Sequence, residues 1–486
     1  MRLPDRPAWR RLIALTAGAA SVFAFAPFGL FWLLPLACLL LFLLVQRAES
    51  PREAALAGLF YGGGLFGGGV SWVFVSLSVF GGMPWWLAGP ATVAYCLLLA
   101  LFPAAAGWLS KRLAPAGGRR GMLAFAGSMA AVDWLRSWIF TGFPWLALGY
   151  SQSPPSPLAG YAPLLGVFGI SLLVAGLGAL LSRPRSGIIA LAIVAAGGFG
   201  LRQVAWTEAA GEPVSVALIQ GNVAQDIKFD PEHFIATLRL YRDLIAAHPA
   251  RLTLLPETAL PAFIDQLPPA YLEELRALAQ RRDGDLVIGT LTGQYDGQYF
   301  NSAYSLGHSP SQIYSKHHLV PFGEFIPPGF AWFMARANIP MSSFTPGPAG
   351  QAPLAVGGLN LAVDICYEDV FGAEIIRPLP AAGVLANLSN TAWFGRSLAQ
   401  PQHLQIAQLR AAETGRPMLR ATNTGMTAII DADGSLRRVL PPFETAVLED
   451  EVRAHIGSTP YVALGDWPAL ALIALTLLGA RWRRPR

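Results

Sequence analysis

Leu359-Asn360-Leu361-Ala362-Val363-Asp364-Ile365-Cys366-Tyr367-Glu368-Asp369 decides how the second half of this chain is read. An apolar run over 359–365 has the texture of a β-strand and ends on a thiol, with a carboxylate two residues on. A cysteine at a strand end is placed as a nucleophile is placed in an α/β domain. It lies late in a chain whose first two hundred residues read as membrane, so substrates that live in a bilayer are the leading candidates.

The composition supports that setting. Of 486 residues, 53% are hydrophobic and only 13% charged, with a mean hydropathy of +0.43. Soluble domains are about 25% charged. The net charge of +5 first points to nucleic acid. The basic residues, however, cluster between apolar spans, so no nucleic-acid partner is expected. Cys38 and Cys96 lie in apolar spans far from Cys366, which argues for three thiols and no disulfide framework.

A spanning helix needs about 20 mostly apolar residues. Seven such segments precede residue 206, at 11–27, 29–46, 54–79, 86–109, 121–139, 162–182 and 186–205, and an eighth lies at 464–480. The first lacks a small-x-small site followed by a polar start, and further spans follow it directly. It is therefore expected to be retained rather than cleaved. Arg2, Arg6, Arg10 and Arg11 precede the first span, and Arg47 and Arg52 follow the second. Lys111, Arg112, Arg119 and Arg120 follow the fourth, Arg183 and Arg185 the sixth, and Arg481, Arg483, Arg484 and Arg486 the last. The alternate loops carry no Lys or Arg. The positive-inside rule then places both termini in the cytoplasm and residues 207–463 outside it, in the periplasm of a two-membrane cell.

Residues 207–463 alternate short β-like runs with helical ones. Strands are expected at 214–220, 252–255, 286–290, 303–306, 312–315, 359–365 and 384–388. Helices are expected at 231–247, 270–282, 372–379 and 402–414, and a hairpin around Asp433-Gly434 joins 426–430 to 435–439. The fold class is thus a membrane helical bundle of eight spans plus an α/β domain with its own core. The domains are 1–206, 207–463 and 464–486, the last a helix with a basic tail.

Glu257, Lys316 and Cys366 each stand just past an apolar strand. Active sites of open α/β sheets gather at the carboxyl ends of strands, so the three can share one cleft. A thiol is mostly protonated at neutral pH and benefits from a neighbouring base and cation. A carboxylate can take and return its proton, and an ammonium can hold an oxyanion. Together they form a set for acyl transfer. Lysine occurs only at Lys111, Lys228 and Lys316, every other cation being Arg. A chain so biased keeps Lys where a compact point charge is needed. His317 and His318 point to opposite faces of a strand and have no acid or Cys at ligand spacing, so no metal or other cofactor is expected. His403, on the 402–414 helix, reads as structural. Phe330, Trp332, Phe333 and Met334 form an apolar run that reads either as core or as a lid dipping into lipid.

Several strings resemble the bacterial apolipoprotein N-acyltransferase family, in order and over nearly the whole chain. They are Thr141-Gly142-Phe143-Pro144-Trp145-Leu146, Gly149-Tyr150-Ser151-Gln152, Leu255-Pro256-Glu257, Lys316-His317-His318-Leu319-Val320-Pro321-Phe322-Gly323-Glu324, Pro340-Met341-Ser342-Ser343-Phe344, Ile365-Cys366-Tyr367-Glu368, Asn390-Thr391-Ala392-Trp393-Phe394-Gly395 and Thr422-Asn423-Thr424-Gly425. The resemblance implies a nitrilase-like α-β-β-α sandwich on a membrane bundle. It implies a phospholipid acyl donor and a diacylglyceryl-cysteine apolipoprotein acceptor, joined through a Cys thioester. By motif, Glu257 is the base, Lys316 the oxyanion stabiliser and Cys366 the nucleophile, supported by Glu324, Tyr367 and Glu368. Phe229, Trp332, Phe333, Trp393 and Phe394 are substrate or lid candidates. The expected setting is the bacterial inner membrane, and a monomer is expected. Two positions depart from the family: Lys228-Phe229-Asp230 has Phe where Trp is usual, and Thr391 replaces an Asp. The competing readings are a membrane-tethered nitrilase-type amidase and a transporter or receptor with an external binding domain.

Overall fold

The computed structural model describes residues 6–228, 230–294, 297–327 and 343–481. Two six-stranded sheets pack face to face in its second half. We number the strands β1 (Thr207–Gln220), β2 (Leu252–Leu254), β3 (Asp285–Gly293), β4 (Tyr299–Gly307), β5 (Ile313–Ser315), β6 (Leu354–Val356), β7 (Leu359–Ile365), β8 (Val384–Ser389), β9 (Met418–Thr422), β10 (Ala428–Ile430), β11 (Leu436–Val439) and β12 (Ala446–Gly457). The orders are β12-β1-β2-β3-β4-β5 and β11-β10-β9-β8-β7-β6. In each sheet three parallel strands (β1 to β3, β7 to β9) form the middle, and antiparallel strands complete the edges.

The two-residue alternation of strand side chains builds the layers. Val216 and Leu218 of β1 and Val287 of β3 face the second sheet, meeting Val363, Ile365, Ala386, Leu388 and Leu419. Ile219, Leu286 and Ile288 face outward onto the helices Pro231–Ala247 and Pro269–Gln280. Helix Ala399–Thr414 covers the other outer face, through Leu404, Ala407 and Ala411 against Leu385 and Met418. The result is the nitrilase-like sandwich. The expected hairpin about Asp433-Gly434 is β10–β11. β6, β9 and β12 were not legible from the sequence.

In the first 206 residues a helix stands at each expected span, and Trp467–Arg481 provides the last. By length and composition, three helices are apolar enough to cross a membrane: Trp85–Leu113, Pro157–Leu180 and Pro184–Leu201. A fourth candidate is the pair Pro51–Gly69 and Val73–Phe80, bent by 57°. Residues 54–79, expected as one span, are thus broken in two. The run Gly67-Gly68-Gly69 just before the break weakens the helix there. Leu33–Arg47 and Trp467–Arg481 are apolar but shorter.

Helix Ala399–Thr414 is nearly all buried because its second face seats on the membrane bundle. Its Gln402 Oε1 accepts from the indole N–H groups of Trp72 (3.3 Å) and Trp145 (2.8 Å). Gln405 Oε1 accepts from Ala26 N, and Glu413 Oε1 from Val167 N at the kink of the Ala162–Leu180 helix. Asp133 and Arg136, the chief ionisable pair of the spans, tie down the intervening loop. Arg136 donates to the Phe143 and Trp145 carbonyls, and Asp133 accepts from Leu148 N and Ser171 Oγ. This buried pair is engaged in shaping that loop.

Candidate active site

β2 runs into Leu255-Pro256-Glu257, where Pro256 has no N–H to continue the ladder. β5 ends at Ser315, one residue before Lys316, and β7 at Ile365, one before Cys366. Cys366 turns at once into the left-handed region, with φ +55°, and Thr258 after Glu257 does the same, with φ +49°. Such backbone costs about 1–2 kcal/mol for a residue with a Cβ. Strain of this kind clusters where side chains must be aimed. It turns the thiol out of the strand's alternation.

The structure brings the expected residues together. Lys316 Nζ donates to Glu257 Oε1 (3.3 Å) and to Glu324 Oε1 (2.9 Å). Asn301 Nδ2 donates to the same two oxygens, at 2.7 and 2.9 Å. The other Glu257 oxygen accepts from the Asn390 backbone N–H at 2.7 Å. Exposures of 7% for Glu257, 1% for Lys316 and 8% for Cys366 place the cluster out of bulk water, where charge interactions are strengthened.

Burial is the largest influence on all three groups. It pushes the Cys366 thiol up, Glu257 adds to that, and Lys316 opposes it, so the resting thiol is protonated. Burial also pushes the Glu257 carboxyl up, but Lys316, the Asn301 amide, Lys228 and the Asn390 N–H together hold it below the usual carboxylate value. Burial alone would lower Lys316; Glu257 and Glu324 override it and raise the ammonium above its ordinary value. The set is thus an ionised carboxylate, a fixed cation and a protonated thiol.

Glu368 does not face this cluster. Its carboxylate accepts from Tyr314 Oη and from the N–H groups of His317 (2.7 Å), His318 (3.0 Å) and Ile365 (2.7 Å). It therefore ties the loop carrying Lys316 to the strand end carrying Cys366. Tyr367 Oη donates to the Gly142 carbonyl, and its ring stacks on Phe143. Phe394 packs on Trp72 and Trp145, and Trp393 on Phe80 of the bent helix. Aromatic side chains of both halves thus form a wall beside the Cys366 turn. Thr391 is buried with its hydroxyl unpaired among the described residues. Its neighbour Asn390 makes the contacts, to Glu257, Gln225 and Asn423. His317 and His318 engage separate partners, Gly347 O and Thr141 O. His403 is buried against Asp369. Phe229, Phe330, Trp332, Phe333 and Met334 lie outside the described residues.

Asn301 and Asn387 were not singled out by the sequence, and Asn390 was marked only as part of a string, without a role. Asn387 Nδ2 donates to the Cys366 carbonyl (3.1 Å) and to Asp364. The available signal was an amide inside or at the end of an otherwise apolar buried strand, which must find partners.

Two six-stranded sheets carrying Glu, Lys and Cys at their strand ends define an enzyme of the nitrilase superfamily, here joined to a helical membrane region. The carbon-nitrogen hydrolase family model matches residues 215–461, and the apolipoprotein N-acyltransferase N-terminal domain model matches residues 17–180. The apolipoprotein N-acyltransferase of Nitrosomonas europaea is 47% identical over 97% of this chain and 96% of its own length. That of Chromobacterium violaceum is 46% identical over 97% and 94%, and that of Methylococcus capsulatus 44% over 95% and 94%. The chain belongs to the apolipoprotein N-acyltransferase family, and it is a membrane acyltransferase with that family's activity.

Proposed function

We propose that Cys366, Glu257 and Lys316 carry an acyl group from a phospholipid to the N-terminal amine of a diacylglyceryl-cysteine apolipoprotein. Glu257 takes the thiol proton as sulfur attacks the ester carbonyl. Lys316 and backbone N–H groups hold the oxyanion. The C–O bond breaks, and Glu257 returns the proton to the departing lysophospholipid alcohol, leaving a thioester on Cys366. The amine then attacks the thioester and gives its proton to Glu257. The C–S bond breaks, the amide leaves, and the thiolate recovers its proton. Ping-pong kinetics follow. Glu324 holds Lys316 in place, while Glu368 and Tyr367 position the strand-end turn. Phe394 and Trp393 line the acyl route.

The observation that carries this reading is the ionised Glu257, paired with Lys316, in a buried cleft whose wall is aromatic and shared with the membrane helices. In this reading all eight helices are spans, residues 1–206 and 464–486 are membrane-associated, and 207–463 is the catalytic domain on the periplasmic side of the inner membrane. The enzyme acts as a monomer.

The competing amidase reading separates by product. Acyl transfer predicts N-acyl product that depends on the lipoprotein amine, with little free fatty acid. Free acid released at the same rate with and without the amine would favour hydrolysis.

A further inference from the structure

Two of the chain's three lysines meet in this one buried cluster. Lys228 is 2% exposed, and its Nζ donates to the Glu257 carbonyl oxygen at 3.1 Å. Its charge is felt by both Glu257 and Cys366, and the mechanism above gives it no part.

A count of charge shows what it does. The reacting set of Glu257, Lys316 and neutral thiol is balanced by itself. Glu324, bonded to Lys316, adds one negative charge to a site nearly closed to water. Asp369, the remaining carboxylate that the thiol feels, is already paired with Arg420 at 2.7 Å and bonded to His403. Glu368 is turned onto backbone N–H groups. Lys228 restores the balance, both at rest and when the thiol proton has moved to Glu257. An uncompensated buried charge is strongly unfavourable.

We propose that Lys228 is a second cation of the active site, a positioning residue that offsets Glu324 and lets the thiolate form beside Glu257 without net negative charge. Burial lowers its own pKa to about 8, against the pull of Glu257 and Cys366. The ammonium is therefore present at neutral pH and lost above it.

The inference rests on Cys366 being the nucleophile, but its test needs no lipid. Purified full-length protein in detergent is alkylated with iodoacetamide across the neutral-to-alkaline range, and the Cys366 peptide is followed by mass spectrometry. Lys228→Met removes the cation and should slow alkylation about 10–100-fold at neutral pH, with the two profiles converging above about pH 8, where the wild-type ammonium is itself lost. Adding Glu324→Gln restores neutrality and should recover about tenfold of that loss, a coupling expected only of interacting charges. A Lys228→Met profile that overlays wild type, or a double variant slower than Lys228→Met, overturns the proposal. If Lys228→Met does not fold, Lys228→Arg keeps the charge and should keep the neutral-pH alkylation rate within about threefold of wild type; a rate about tenfold or more slower overturns the proposal equally. A protein that alkylates as expected yet forms no acyl adduct would tell against the phospholipid donor and not against Lys228.

Discussion

Replacing Asn301 with Leu tests how Glu257 is held without touching Glu257, Lys316 or Cys366. The Asn301 amide donates to one oxygen of Glu257 (2.7 Å) and one of Glu324 (2.9 Å). Its backbone carbonyl separately accepts from Lys316 N at 2.8 Å, a bond that Leu retains. The substitution therefore removes the amide and leaves the Lys316 strand in register. Hydrogen bonds to charged groups contribute about 1.5–3 kcal/mol each, so two come to about 3–6 kcal/mol. If half of that is felt in the transition state, where Glu257 must be aimed at the thiol, acylation slows about 10–100-fold at 1.36 kcal/mol per tenfold. The remainder appears as lost stability. Single-turnover acylation of Cys366, followed by intact mass, and thermal unfolding in the same detergent separate the two. Acylation within about threefold of wild type, at unchanged stability, would refute the assigned role of the amide.

Two further outcomes are expected. Glu368→Gln places an NH2 group against one of the N–H groups that Glu368 now accepts, those of Ile365, His317 and His318. It should lower stability by about 1–3 kcal/mol for the orphaned donor, and lower the acylation rate while leaving Cys366 a free thiol; an unchanged melting temperature would contradict it. Glu257 is held below its ordinary value by Lys316, Asn301, Lys228 and the Asn390 N–H. Its charged form therefore adds stability above the unfolded value of about 4.3, lost as pH falls through the lower folded value. As a base it stays ionised over the same range, so acylation should hold through mildly acidic pH. A Glu257-dependent limb near neutrality in the pH–rate profile would contradict this.

The cluster of Glu257, Lys316 and Cys366 was legible because each residue follows an apolar strand, and strand ends of the two facing sheets converge whatever the sequence distance. Glu324 and Glu368 came only through their strings. What each carboxylate touches depends on how two loops cross, and no spacing encodes that. Asn301 and Asn387 were illegible for a related reason: a lone amide in a strand looks the same whether it faces water or a carboxylate. Lys228 left a trace in the scarcity of lysine, without a partner to attach it to. In the membrane half, hydropathy located the long helices but not the 57° break after Gly69, which a window average smooths over. The short strands β6, at a sheet edge, and β9, inside the sheet, escaped because three to five residues show no readable alternation, and β12 because its charged outward positions mask the buried Leu448 and Val452.

The central claim is a thioester on Cys366, and intact-protein mass spectrometry after incubation with phospholipid addresses it directly. The wild-type enzyme should gain the mass of one fatty-acyl chain, located to the Cys366 peptide and discharged on adding a diacylglyceryl-cysteine peptide. Cys366→Ala should gain nothing. Active protein that never carries the adduct, or an adduct that persists in Cys366→Ala, would contradict the account.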